Sequence, residues 1–161
     1  VLFRSVILRS IQFKGFYVIK AMQAGSPAPL TDGNCRFRAI LYIDTQCNGS
    51  DITTDSILEN DKVDGFYNLA NSGRFKILFD KTIAVNAHDL VYVGDGTSDK
   101  VESARRVMPF EFTRDLYLPI QYDNTDGVVG GRRVNNIAMV VIASDTNRLE
   151  IAGDFRVRFT D

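Results

Sequence analysis

One stretch of the sequence decides the fold class: Cys35-Arg36-Phe37-Arg38-Ala39-Ile40-Leu41-Tyr42-Ile43. Every second residue from Phe37 to Ile43 is apolar and falls on one face, whereas Arg36 and Arg38 fall on the other. Successive side chains of a strand point to opposite sides of a sheet. The pattern therefore predicts a half-buried β-strand.

The same alternation recurs along the chain. It predicts four further inward rows: Ile11, Phe13 and Tyr17 in a first strand; Phe75, Ile77, Phe79, Ile83 and Val85 in a third; Met108, Phe110, Phe112, Leu116, Leu118, Ile120 and Tyr122 in a later one; and Phe155, Val157 and Phe159 in the last. Turn signals such as Asp32-Gly33 and Asn48-Gly49 separate these rows. Short strands between regular turns are typical of an all-β sandwich or barrel.

One helical segment interrupts the strands. It is Thr53-Thr54-Asp55-Ser56-Ile57-Leu58-Glu59. Hydroxyl residues that cap helices come first, an acid follows, and the apolar pair Ile57 and Leu58 comes next. This order predicts a short helix in the loop after the second strand.

Length and charge limit the classes of protein. The 161 residues, 45% of them hydrophobic, fit a single domain spanning residues 1–161. The net charge of −1 gives no overall reason to bind nucleic acid or an anionic membrane. The most apolar window, residues 137–143, is far shorter than the ~20 residues that a membrane span needs, so we expect no membrane partner.

The sequence offers little catalytic or metal-binding chemistry. His88 is the only histidine, and Cys35 and Cys47 are the only cysteines, which excludes multi-histidine metal sites and a disulfide framework. A dyad of His88 with Asp89 is disfavoured because neighbours on a strand point to opposite sides. Asp123 and Asp126 could hold a structural calcium, but an ordinary turn explains them without one. We therefore expect no enzyme and no cofactor.

Five basic residues occupy the outward positions of three strands: Lys14, Arg74, Lys76, Arg156 and Arg158. If the first, third and last strands are neighbours in one sheet, these residues form a basic patch on an otherwise neutral protein. The ordinary interpretation is a solvated sheet face, and the residues alone favour it.

The segment 137–143 is apolar on both faces, unlike a strand with one face in solvent. Its outer face carries Ala138, Val140 and Ile142. Either a loop or another subunit covers this face. We predict that these three residues form a subunit interface.

Several segments carry a family resemblance that covers nearly the whole chain from about Ser10 onward. They are Asp44-Thr45-Gln46-Cys47-Asn48-Gly49, the turn from Thr53 to Glu59, Phe66-Tyr67-Asn68-Leu69, the run from Arg74 to Lys81, the run from Leu118 to Asn124, Asn135-Asn136-Ile137, and the run from Arg156 to Asp161. In this ordered set the chain resembles the capsid proteins of circular single-stranded DNA viruses that encode a replication initiator. The shell protein of that group is similar to the satellite tobacco necrosis virus type.

The resemblance implies an eight-stranded antiparallel jelly roll of two four-stranded sheets. It implies self-assembly into a small icosahedral shell of about sixty subunits around a single-stranded DNA genome. It also implies that the first, third and last strands share a sheet, which favours a nucleic-acid-facing role for the basic patch. The expected location is the virion, and the host cell during assembly.

The chain start differs from the family pattern, in which an Arg/Lys-rich arm usually comes first. We expect either such an arm upstream of Val1 or a shell that binds nucleic acid weakly. Residues 1–5, Val1-Leu2-Phe3-Arg4-Ser5, match the translation of a common sequencing adapter, which suggests that they are non-native.

The alternative function is a non-catalytic jelly-roll domain that binds carbohydrate or another ligand. It would need exposed aromatic residues, but the chain has no Trp and most Phe residues fall on inward rows.

Overall fold

The computed structural model describes residues 4–19, 34–47, 52–86, 90–94, 99–103, 107–122, 132–144 and 149–160. The strands in these ranges are β1 Arg4–Ile19, β2 Asn34–Asp44, β3 Phe75–Asn86, β4 Leu90–Gly94, β5 Asp99–Ser103, β6 Val107–Tyr122, β7 Arg132–Val134, β8 Asn136–Ala143 and β9 Leu149–Thr160. A helical turn α1, Thr54–Ile57, and a 3-10 turn, Leu69–Asn71, lie between β2 and β3. The expected all-β class and the short helix after the second strand are both confirmed.

Two antiparallel sheets form a sandwich. Sheet 1 has the order β7-β6-β1-β9, and sheet 2 has the order β3-β2-β8. The hairpin β4–β5 forms a separate two-stranded sheet. The described residues thus hold nine strands in sheets of four, three and two, rather than eight in two sheets of four.

The third strand does not lie where the sequence analysis placed it. We expected it beside the first and last strands, but β3 pairs with β2 in sheet 2 along its whole length. Alternation along a strand shows which face is buried and not which strand is the neighbour. The expectation of one sheet holding the first, third and last strands was therefore wrong.

The main core lies between the two sheets. Ile11, Phe13 and Tyr17 of β1 pack with Phe37, Ala39 and Leu41 of β2 and with Phe110 and Phe112 of β6, and all eight are buried. These residues belong to the inward rows that alternation predicted. Aromatic rings dominate the contact, with Phe13 stacked on Phe112 at 5.7 Å between centroids.

A second core lies on the opposite face of sheet 2. There Ile40 and Tyr42 of β2 are buried beneath Ile57, Leu58 and Val63. We call residues 52–67, which include these three, the covering segment. It closes on itself through a bridge between Leu58 and Tyr67. The centre of β2, from Ala39 to Ile43, is therefore buried on both faces, between sheet 1 and the covering segment.

A β-bulge at Leu78 divides the predicted inward row of β3. Leu41 pairs with Phe79 but Tyr42 pairs with Ile77, so Leu78 has no partner of its own. Phe79 and Ile83 consequently pack in the main core, whereas Phe75 and Ile77 pack against the second core. An extra residue reverses the facing of everything beyond it. The single inward row predicted for this strand was wrong for that reason.

Candidate nucleic-acid interface

The outward face of sheet 1 carries three of the five predicted basic residues. Across β6, β1 and β9, Glu111, Lys14 and Asp154 form one row, and Thr113, Gln12 and Arg156 form the next. A third row contains Asp115, Ser10 and Arg158. Residues directly opposite each other on adjacent strands share a face. Lys14, Arg156 and Arg158 therefore lie together, on a face opposite to the main core.

The other two predicted residues belong elsewhere. Lys76 lies on β3 in sheet 2, and Arg74 immediately precedes that strand. Arg74 donates from Nε and Nη2 to the two carboxylate oxygens of Asp44, each at 2.8 Å. Its guanidinium also lies 5.0 Å from the centre of the Phe75 ring. The structure corrects the predicted five-residue patch, because Arg74 has a structural partner and lies with Lys76 on the other sheet.

Charges on the outward face are unevenly distributed. Lys14 lies 4.0 Å from Glu111 and shares its row with Asp154, so this end carries more acid than base. Within the ranges that the structure describes, no carboxylate forms an ion pair with Arg156 or Arg158. An open depression of about 600 Å³ lies beside Lys14, Asp154 and Arg156.

Arg9 and Tyr117 extend the end of this face that carries Arg156 and Arg158. Sequence reasoning did not select either residue as part of the basic patch. Arg9 Nε donates to Thr160 Oγ1 at 2.9 Å, and its guanidinium lies 4.6 Å from the centre of the Tyr117 ring. Both residues lie where the β1–β6 pairing shifts register between Leu8 and Ser10. The outward position of Tyr117 was predictable from alternation. The position of Arg9 was not, because the shift interrupts the alternation.

The edge formed by β8 and β9 is open. The β9 residues Phe155, Val157 and Phe159 face the main core but keep 46%, 39% and 51% exposure. They line an apolar cleft of about 380 Å³ together with Ile137 and Met139 of β8. We name this cleft the open rim. The sequence correctly predicted that the side chains of this β9 row point toward the core. It was wrong to predict that they are buried.

The predicted subunit interface has a cover within the chain. Ala138, Val140 and Ile142 pack with the second core, and Ile142 is buried. Of the two alternatives for this face, a loop of the same chain is therefore the one observed. The covering segment packs on the face of sheet 2 that carries these three residues, and a subunit contact there stays a prediction.

A polar network holds the covering segment on sheet 2. Arg38 donates to both carboxylate oxygens of Asp80, at 2.8 and 2.6 Å, and to the carbonyl oxygen of Gly65 at 2.6 Å. Tyr67 also donates its hydroxyl proton to Asp80. Burial alone raises the pKa of Asp80, but the hydrogen bonds from Arg38 and Tyr67 outweigh it, and the pKa is lowered. Asp80 therefore stays ionised and connects β3 to the covering segment.

The described residues that could bind a metal or take part in catalysis do not form a metal centre. In the described ranges there is no group of three His, Cys, Asp or Glu side chains that could hold a metal. His88, Asp123 and Asp126 lie outside those ranges, and for Cys35 the structure describes only the main chain. Cys47 is a free thiol near the main-chain oxygen of Asp44. A search of the described helices finds none that could span a membrane.

The sequence matches no family model, and a search of the curated proteins gives no match.

Proposed function

We propose that this protein is a viral capsid protein that self-assembles into a small icosahedral shell enclosing a single-stranded DNA genome. The finer fold that belongs to the proposal is a jelly roll. Its support is the ordered set of sequence segments described above, together with the antiparallel sandwich, which is compatible with that fold. The proposal includes no catalytic role, and its location is the virion.

The open rim is the observation that carries the assembly role. Phe155, Val157 and Phe159 form a continuous apolar row along an edge strand, and each is at least 39% exposed. Monomeric proteins rarely leave such a surface in water, and contiguous apolar patches mark interaction sites. An edge strand also offers unpaired backbone groups to another chain. The open rim, rather than Ala138, Val140 and Ile142, is therefore the interface that we now propose.

The geometry of such a contact decides whether assembly closes. A rim that binds a different surface of the next subunit produces head-to-tail association, which ends in a ring or shell only if the rotation closes. A closed shell of about sixty subunits is the simplest arrangement that matches the resemblance.

The test compares three proteins by size-exclusion chromatography with light scattering and by negative-stain microscopy. The unaltered chain should form closed particles of uniform size. Phe159→Asp should remain folded but fail to assemble, because a charge would be buried in the contact. Phe159→Leu is the matched control and should assemble. A chain that stays monomeric at every concentration would overturn the proposal.

A second candidate function rests on the same cleft. Its volume of about 380 Å³ and its apolar lining suit a small apolar ligand better than a carbohydrate. A monomer that binds an apolar fluorescent probe, with binding abolished by Phe159→Asp, would favour this ligand-binding alternative.

A further inference from the structure

Six of the arginines that the structure describes fall into two groups. Arg36, Arg38 and Arg74 each form an ion pair with a carboxylate, and these contacts hold loops or strands together. Arg9, Arg156 and Arg158 form no such pair with any residue that the structure describes. All three of the second group lie at the same end of the outward face of sheet 1. Their guanidinium groups are available to an external anion.

An exposed aromatic ring lies among these arginines. Tyr117 keeps 68% exposure, although Arg9 lies over one face of its ring. The hydrogen bond from Arg9 Nε to Thr160 fixes that guanidinium in place. One face of the ring is therefore supported by a cation, and the high exposure leaves the other face open to solvent.

This combination fits a specific class of ligand. Proteins that bind single strands without sequence preference combine a cationic path along the backbone with aromatic rings on which bases stack. Arginine stacking on the same ring adds a cation–π contribution. A free phosphate or a duplex would use the arginines but would gain nothing from the ring, because the bases of a duplex are already stacked.

We propose that Tyr117, supported by Arg9, stacks one base of a single-stranded nucleic acid, while Arg158 and Arg156 bind the phosphates beside it. The inference rests on the proposed function, which supplies the single strand as cargo. The acids on this face set the path of the strand. Asp115 lies on β6 in the row of Arg158, and Glu111 and Asp154 flank Lys14. The phosphates therefore follow the arginines of β9 and avoid the Lys14 end.

The experiment measures fluorescence anisotropy of two labelled oligomers with the full chain. One is an oligothymidylate of about 20 nucleotides, and the other is an abasic strand of the same length. The unaltered protein should bind the oligothymidylate more tightly. Tyr117→Ala should weaken that binding about tenfold and leave the abasic strand unaffected. Arg158→Glu should weaken both, because phosphate contacts do not depend on the bases.

Two control variants isolate the stacking role. Tyr117→Phe keeps the ring and should keep the preference for bases. Phe16→Ala removes another aromatic ring of the same outward face, which is 41% exposed and lies beyond the Lys14 row, and should change nothing. Assembled and dissociated fractions are measured separately, so that access inside a shell does not decide the result.

The outcomes separate this inference from the proposed function. If Tyr117→Ala binds both oligomers as the unaltered chain does, the stacking role is wrong even where Arg158→Glu confirms a phosphate site. If neither oligomer binds, both the stacking site and the nucleic-acid cargo are overturned. Shell formation is scored independently by microscopy.

Discussion

Arg74 and Asp44 form a two-point ion pair that joins the end of β2 to the start of β3. Asp44 is only 2% exposed, and its carboxylate also accepts a hydrogen bond from the Gln46 main-chain N–H at 3.0 Å. Thr45 reinforces the junction, since its N–H donates to the Arg74 carbonyl oxygen at 3.0 Å. A basic residue that sequence reasoning assigned to nucleic acid is therefore part of the internal structure.

Replacing Arg74 should destabilise the fold. We expect Arg74→Gln to lower the free energy of unfolding by about 2 kcal/mol, because it leaves a buried carboxylate with fewer partners. Lys76→Gln, two residues further along the chain on β3, is the matched control. It should change stability by less than about 0.5 kcal/mol, because Lys76 is exposed. Urea titrations measure both, and equal effects would contradict the structural role of Arg74.

The same pair should determine part of the acid sensitivity. Burial raises the pKa of Asp44, but hydrogen bonds from Arg74 and Gln46 outweigh it and hold the pKa below 3.8. A carboxyl group with a lowered folded pKa contributes stability above its unfolded pKa, and loses it as pH falls through the folded pKa. The difference in stability between the unaltered chain and Arg74→Gln should therefore be constant near neutral pH and shrink in strong acid. An undiminished difference in acid would contradict this.

Tyr67 should make the folding stability fall as the pH rises in the alkaline range. Burial and the hydrogen bond to Asp80 raise its pKa above 10.0. A group whose folded pKa is raised contributes stability that is present below the unfolded pKa and is lost as pH rises through the folded pKa. Unfolding curves above about pH 10 should show a smaller alkaline loss of stability in Tyr67→Phe than in the unaltered chain. Identical alkaline curves would show that this hydroxyl does not connect the covering segment to Asp80.

A substitution at Val140 tests whether the covering segment packs on sheet 2. Val140→Asp should cost about 2 kcal/mol or more, because it places a carboxylate between β8 and the covering segment. Val107→Asp is the control, since Val107 is 54% exposed and lies on sheet 1. It should be close to neutral. A Val140→Asp protein that is fully stable but fails to assemble would restore the subunit interface that the sequence predicted.

Gly15 and Gly153 offer a test of packing between β1 and β9. They oppose each other, and a Cβ at Gly153 would lie 2.6 Å from both the Gly15 Cα and the Phe13 ring. Gly153→Ala should therefore cost roughly 1–3 kcal/mol. Gly73→Ala adds the same methyl group where no atom lies within 4 Å, and it should have little effect. Thermal unfolding of the two variants gives the comparison.

Alternation along the sequence predicted the strands and the inward rows of β1, β2 and β6 because those rows lie largely in regular pairing. It failed in β3, where the bulge at Leu78 reverses the faces. It also could not show that β3 pairs with β2, since pairing partners depend on contacts distant in sequence. Within the covering segment, a short helix was predicted over Thr53 to Glu59, but the sequence did not show that the segment covers Val140.

The candidate site was predictable to a similar extent. Arg156 and Arg158 were found because they alternate with an apolar row. Arg9 was missed because it lies at a register shift. Tyr117 was missed because the sequence does not show that Arg9 lies over its ring. Arg74 was misassigned because an ion pair with Asp44 leaves no pattern in the sequence.

The position of β2 between two layers also has a kinetic consequence. Its residues from Ile40 to Ile43 are at most 4% exposed, and β3 and β8 hydrogen-bond to it on both sides. Amide protons there can meet solvent only when the whole domain opens, whereas those of β9 at the sheet edge can exchange through local fraying. Hydrogen exchange should therefore be slowest in β2, with a free energy of opening that equals that of global unfolding. The strand that first reveals the fold in the sequence would then be the last to release its amide protons.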